Sequence, residues 1–238
     1  MSDALTIILL TTLAGLCIPL GAFFASHENI QNQWLEQEFR HFVIAFGGGI
    51  LLGATTLVLI PEGSNYIEPN SLTVAIILAG GICFFLLERY LGLKRRENPQ
   101  LMGMILDYIP EAIALGGLVA TQSPTALLLA VLIGLQNLPE GFNSYKELQA
   151  NKVKNSRIFS YMLILVLVGP AAGLAGFYWL SSYQSLLGVM MLFAAGGILY
   201  LIFQDIAPQS RLEKHWAPPL GAVIGFCLTL YGQQLLGH

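Results

Sequence analysis

Eight stretches of this chain stay apolar for about 20 residues each, the length a helix needs to cross the hydrocarbon of a bilayer. They are Ala4–Ala25, Phe39–Ile60, Leu72–Leu91, Met102–Ala120, Thr125–Phe142, Phe159–Leu180, Ser185–Ala207 and Pro218–Leu236. In lipid every backbone N–H and C=O must find its partner inside the segment, so such runs become helices. The expected fold is an all-α polytopic membrane protein, a single transmembrane domain over residues 1–238 with no room for a separate soluble domain. Charged residues make up 11% of the chain, against about 25% in soluble domains. The net charge of -3 gives no reason to expect nucleic acid as a partner. The lipid bilayer is the expected surrounding, and a homodimer is left open.

With eight spans, the connections alternate between two sides. Arg40 belongs to the first connection. Arg89, Lys94, Arg95 and Arg96 lie in or beside the third, Lys146, Lys152, Lys154 and Arg157 in the fifth, and Arg211 and Lys214 in the seventh. These are all 11 Lys and Arg of the chain, and all fall on one side. The positive-inside rule makes that side cytoplasmic and puts both termini outside, as in a multi-pass protein of a bacterial inner (plasma) membrane.

Two spans resemble each other without a gap. FGGGILLGATTLVLIPEG (Phe46–Gly63) aligns with FAAGGILYLIFQDIAPQS (Phe193–Ser210), pairing Phe46 with Phe193, Gly49 with Gly196, Leu52 with Leu199 and Pro61 with Pro208. They are the second and seventh spans and cross in opposite directions. A weaker likeness links AGLCIPLGAF in the first span with VGPAAGLAGF in the sixth. The pattern predicts an inverted 3+2+3 repeat, with spans 1–3 and 6–8 flanking spans 4 and 5, an arrangement common in transporters whose site lies near mid-membrane.

The unusual chemistry sits in that middle pair. The fourth span contains DYIPEA (Asp107–Ala112) and the fifth QNLPEG (Gln136–Gly141). In each, a polar residue precedes a glutamate by four positions, which places both on one helix face about a turn apart. Each proline removes an N–H and frees the carbonyl four residues earlier, those of Leu106 and Leu135. Consecutive helices run antiparallel, so the two motifs are expected at similar depth, with Asp107, Glu111, Gln136 and Glu140 converging and Asn137 on an adjacent face. Three carboxyls in one apolar pocket cannot all be ionised and unpaired. No Lys or Arg lies in a span interior to neutralise them, which leaves protons or a cation. A divalent cation would compensate two charges and take the carbonyl and amide oxygens as further ligands.

These residues resemble the ZIP family of zinc- and iron-regulated-transporter-like proteins, over nearly the whole chain. IGLQNLPEGF looks like the family's fifth-helix signature, and DYIPEAIALG stands in the place of its fourth. AGLCIPLGAF, GGGILLGATTLVLIPEG and GGILYLIFQDIAPQS look like helices 1, 2 and 7. The resemblance implies eight helices with both termini outside. It implies metal import toward the cytoplasm by a moving bundle of helices 1, 4, 5 and 6 against a scaffold of 2, 3, 7 and 8. As metal ligands it implies Asp107, Glu111, Gln136, Asn137 and Glu140, with Gln204 and then Asp205 at the place of a helix-7 acid near the cytoplasmic end.

The departures all lower the histidine content. Asp107 and Tyr108 stand where the family usually has His-Asn, Val58 stands where helix 2 often has a histidine, and the third connection is a short basic stretch, GLKRREN. His27, His41, His215 and His238 all lie outside span interiors. Tyr108 replaces an amide expected to help hold a second metal. A primary site made only of oxygens suits harder ions, so the transported cation is expected among Zn²⁺, Mn²⁺, Fe²⁺ and Cd²⁺, with manganese and iron competing better than in a histidine-bearing relative.

The glycine runs Gly47–Gly49, Gly80–Gly81 and Ala194–Gly197 are expected to smooth the surfaces along which a bundle slides. Glu62 and Glu68 are expected to gather cations on the external side. The alternative is a metal-binding membrane protein that no longer transports. A carrier of organic solutes or protons would use the same carboxyls. An enzyme is not expected, because the chain has no HExxH pair.

Overall fold

The computed structural model describes residues 2–28, 33–91, 99–180, 183–210 and 217–236. Among them there is no strand, and eight helices are long and apolar enough to cross a membrane. They are α1 (Asp3–His27), α2 (Gln33–Ala54, running on through Thr55–Leu59 and Ile60–Ser64), α3 (Asn70–Leu91), α4 (Pro99–Ala120), α5 (Thr125–Ala150), α6 (Asn155–Leu180), α7 (Gln184–Leu201, running on through Ile202–Ile206 and Ala207–Gln209) and α8 (Pro218–Leu236). Every apolar run of the sequence lies inside one of them. Helix α5 continues about two turns past Phe142, to Ala150. There Lys146, expected in a connection, pairs with Glu28 just beyond α1. The side carrying the Lys and Arg residues is called the basic side below, and the other the far side. Of the basic residues, Lys94–Arg96, Arg211 and Lys214 lie outside the described residues.

The helices fall into two sets. Helix α1 packs on α5 and α6, and α4 packs on α6 and α5; separately, α2 packs on α8 and α3 on α7. The sets touch where α2 meets α5 and α4 meets α7. Helices α3 and α8 are the least enclosed and α5 the most. The central helix is therefore the one that carries QNLPEG.

Glycines let the backbones meet, and they do so in corresponding pairs. A Cβ on Gly49 would stand 2.1 Å from the Ala222 oxygen, and one on Gly196 1.9 Å from the Ile77 oxygen. Gly225 approaches the Phe46 oxygen as Gly80 approaches that of Phe193, with corresponding distances of 2.2 and 2.0 Å. The α2–α8 and α7–α3 contacts thus use the positions that the sequence alignment had matched, Phe46 with Phe193 and Gly49 with Gly196. In the other set, Gly21 meets the Leu138 oxygen (2.0 Å) as Gly176 meets that of Ile113 (2.1 Å), and Gly141 meets Ile18 (2.2 Å) as Gly116 meets Gly173 (1.9 Å). Side chains are excluded at all of these positions, since real Cβ atoms do not come so close.

These contacts correct one expectation. Gly49, Gly80 and Gly196 fasten helices within one set and do not face the other set. Gly47, against the Pro139 ring, is the member of those runs that meets α5.

Helices α2 and α7 each contain a π-turn, Thr55–Leu59 and Ile202–Ile206, at matching places in the alignment. Pro61 and Pro208 follow them. Their rings would strike the carbonyls of Leu57 and Gln204, four residues earlier, and a widened turn relieves that clash. Pro19, Pro110, Pro139 and Pro170 lie inside helices assigned as α throughout.

Candidate metal centre

The register of α4 against α5 is fixed by two hydrogen bonds. Gln136 Nε2 donates to Glu111 Oε2. Toward the basic side, the Leu101 backbone N–H donates to Glu147 Oε2 at 3.4 Å. Counting along the antiparallel helices between these ties, Asp107 is level with Glu140, and Gly103 and Met104 are level with Asn143 and Ser144. Each level is one turn, about 5.4 Å, from the next. A small cavity of about 20 Å³ agrees with this register. It is lined by Gly103, Met104, Asp107, Glu140, Leu201, Asp205 and Ile206.

With the two motifs at similar depth on antiparallel helices, Glu111 stands opposite Gln136 and Asp107 is level with Glu140. All four lie in one seam. The three carboxyls act on one another electrostatically.

The seam is dry, and its oxygens lack partners. Asp107, Glu111, Gln136, Asn137 and Glu140 are each at most 9% exposed. Asp107 Oδ1, Glu111 Oε1, Gln136 Oε1, Asn137 Oδ1 and both Glu140 oxygens accept no hydrogen bond. Unpartnered buried polar atoms are rare in native proteins because each forfeits its hydration. Here six gather on two facing helices. Asn137 Nδ2 donates to the Ala14 oxygen of α1 at 3.0 Å, leaving its oxygen free to act elsewhere. Lys146, farther along α5, is held by Glu28. As the side chains stand, no three His, Cys, Asp or Glu among the described residues surround a single ion position. Glu111 is engaged by Gln136, one turn from the Asp107–Glu140 level.

The helix-7 pair separates. Asp205 lines the cavity with Asp107 and Glu140. Gln204 borders a groove between α3 and α7 with Ile77, Leu78, Gly81 and Phe85. Tyr108 is fully buried and donates from its hydroxyl to the Thr11 oxygen at 3.2 Å. Its hydroxyl fills the space left by Gly15 and Gly169, where a Cβ would stand 2.6 and 2.0 Å away. The phenol is thus a tie between α4, α1 and α6. Val58 is buried in the core. His27 and His41 bond to backbone oxygens of their own helices, and His215 and His238 lie outside the described residues. On the far side, Glu62 accepts from Ser123 Oγ (3.1 Å) and Thr125 Oγ1 (2.7 Å), so it joins α2 to the α4–α5 turn.

Sequence reasoning passed over Asn143 and Ser144. Both are buried, with Asn143 Oδ1 and Ser144 Oγ unpartnered. The signal was available, because they continue the three-and-four spacing from Glu140.

The family model of the ZIP zinc transporter matches residues 96–231, which includes the whole seam. The chain belongs to the ZIP zinc transporter family. Among its relatives, zinc transporter ZIP9 of Xenopus tropicalis is 22% identical over 272 residues, covering 90% of this chain and 89% of that protein. Zinc transporter ZIP9 of Micropogonias undulatus is 22% identical over 261 residues, covering 83% and 84%. Zinc transporter GufA of Myxococcus xanthus is 33% identical over 140 residues, 57% of this chain and 54% of that protein. Membership makes this ZIP chain an integral multi-pass transporter and not an enzyme.

Proposed function

We propose that this ZIP protein carries a divalent transition-metal ion across the membrane toward its basic, cytoplasmic side, with zinc foremost and manganese, iron and cadmium within range. The ion is held between α4 and α5 by oxygens of Asp107, Glu111, Gln136 and Glu140, with Asn137 beside them and Asp205 at the basic-side edge. Gln204 serves the exit path with Asp205. The observation that carries the reading is the set of six buried, unpartnered oxygens in this seam. Turning the Gln136 amide away from Glu111 gives one ion access to both levels. The relatives' names support zinc. The absence of imidazole in the seam supports a range extending to harder ions.

The corresponding glycine contacts and π-turns support an inverted repeat of α1–α3 and α6–α8 around α4–α5. The two packing sets support a mobile bundle of α1, α4, α5 and α6 against a scaffold of α2, α3, α7 and α8. An ion displaces protons from carboxyls, so apparent affinity falls as pH drops.

The test is uptake of Zn²⁺ and Mn²⁺ into proteoliposomes, beside equilibrium binding in detergent. Wild-type protein takes up both. Glu111→Gln and Glu140→Gln lower affinity by more than ~100-fold, since even groups that only orient ligands cost about 10–100-fold. Uptake of zinc with manganese excluded would overturn the wider range. Binding without uptake would favour a non-transporting metal-binding protein, a reading for which Tyr108, tying α4 to α1 and α6, is the specific support.

A further inference from the structure

A groove of about 570 Å³ lies between α3 and α7, lined by Leu78, Gly81, Ile82 and Phe85 of α3 and by Gly196 and Phe203 of α7. Leu78 is 62% and Phe203 68% exposed, so in a membrane the groove opens to lipid. One residue in it does not suit hydrocarbon. Gln204 borders the groove, and its side-chain amide holds no hydrogen bond among the described residues. An amide without a partner is costly at membrane depth. Whatever fills the groove beside it must therefore offer an oxygen.

The contact between the two helices sets the depth of that amide. Helices α3 and α7 are both odd-numbered spans and run in the same direction. Gly197 stands against the Phe84 ring, and the Tyr200 hydroxyl donates to Glu88. One turn further, Gln204 is level with Leu91, where α3 ends. Arg89 stands at that end, exposed and without a carboxylate partner among the described residues. Glu88 beside it is buried and engaged by Tyr200. In the sequence Lys94, Arg95 and Arg96 follow within seven residues of Arg89. Four basic residues at the end of a transmembrane helix are the pattern that draws anionic headgroups.

We propose that the α3–α7 groove is a binding site for an anionic phospholipid, with an acyl chain along Leu78–Phe85, a glycerol-ester oxygen accepting from the Gln204 amide and the phosphate on Arg89. The three parts follow the order of a lipid read from tail to headgroup, apolar groove, then amide, then cation at the membrane surface. The site stands independently of the transport reading, because it is defined by binding alone.

The experiment uses delipidated full-length protein in neutral detergent and native mass spectrometry of the first phospholipid bound. The probes are dioleoyl phosphatidylglycerol and dioleoyl phosphatidylcholine. Wild-type protein binds phosphatidylglycerol at least tenfold more tightly. Arg89→Gln lowers that ratio about fivefold, the contribution of one basic residue at an anionic surface. Gln204→Leu weakens both lipids about threefold and keeps the ratio, because both carry the ester and a hydrogen bond within a membrane contributes little more. Ile82→Trp fills the groove and removes the tight site for both. Lys154→Gln, an exposed cation elsewhere on the basic side, leaves both affinities unchanged. Equal affinity of wild-type protein for the two lipids would overturn the proposal. So would a loss in Lys154→Gln as large as in Arg89→Gln, which would mean diffuse charge, or unchanged binding in Ile82→Trp, which would put the lipid elsewhere. A lipid-free dimer that Ile82→Trp dissociates would overturn it too, since a second copy would then cover the groove. Arg89 and Ile82 are exposed, so their variants fold and decide the matter even where Gln204→Leu does not.

Discussion

The two ends of the α4–α5 seam are built from opposite materials. Beyond Glu111 and Gln136 toward the far side, the helices bury Leu115, Leu118, Leu128, Leu129 and Leu132, all at most 1% exposed. The next polar atoms in that direction are at the rim, where Ser123 and Thr125 bond to Glu62. Toward the basic side the same helices offer Asp107, Glu140, Asn143 and Ser144, with open space at Gly103. A close-packed leucine layer leaves no room for a hydrated ion, whereas a stripe of oxygens beside a cavity replaces hydration a ligand at a time. The two ends of the seam are therefore unlike, close-packed leucine toward the far side and buried oxygens beside a small cavity toward the basic side.

The largest expected effect comes from exchanging the two materials. Leu132→Asp puts an uncompensated carboxyl into the leucine layer and costs on the order of 3–5 kcal/mol. Asn143→Asp puts one into the oxygen stripe, where bound Zn²⁺ compensates it, so its cost is expected to shrink when the ion is added while that of Leu132→Asp does not. Thermal unfolding in detergent, with and without Zn²⁺, checks the difference. Equal destabilisation by the two substitutions would mean that the ends are not unlike in the way the packing indicates.

Next in size is a pair of glycines on one helix. Gly116→Ala drives a methyl into the Gly173 oxygen, 1.9 Å from where its Cβ would stand, so α4 must move off α6 at a cost of about 1–3 kcal/mol. Gly103→Ala meets nothing and gains helix propensity of up to about 1 kcal/mol. The same substitution on α4 is thus expected to change sign between the tight end and the open end, and unfolding midpoints of the two variants measure it.

Much of this was legible in the letters. Eight runs of apolar residues dictate eight helices because lipid offers the backbone no other partner. The match of Phe46 and Gly49 with Phe193 and Gly196 reappears as backbone contacts on α8 and α3. The seam's members were legible as well, because a glutamate beside an intrahelical proline is costly in hydrocarbon without a use. Antiparallel helices with the motifs at similar depth put Glu111 opposite Gln136, and glycine contacts hold that depth: Gly21 and Gly141 lock α5 to α1, and Gly116 and Gly176 lock α4 to α6. What the letters did not give was the tie itself, the Gln136 amide engaging Glu111. The π-turns were also invisible, since Pro61 and Pro208 look no different in sequence from Pro110 and Pro139, which widen nothing. Asn143 and Ser144 were missed for a simpler reason, because the apolar run was judged to end at Phe142 while the helix goes on.

The smallest expected effect tests whether the far-side rim helps hold the leucine layer shut. Thr125→Val keeps the shape of the side chain and removes the 2.7 Å hydrogen bond to Glu62, while Ser123 keeps its own at 3.1 Å. A hydrogen bond to a charged group is worth about 1.5–3 kcal/mol, and sharing the carboxylate with Ser123 lowers that to about 1 kcal/mol. If the bond exists in the closed arrangement only, losing about 1 kcal/mol raises the population open to the far side roughly fivefold. A cysteine placed at Leu128 would report this as faster labelling by a membrane-impermeant thiol reagent from the far side, in a background with the native cysteines replaced. If labelling is unchanged and the melting temperature drops by the same free energy, the Glu62 contact holds α2 to the α4–α5 turn in every state, and the leucine layer seals the far side by packing alone.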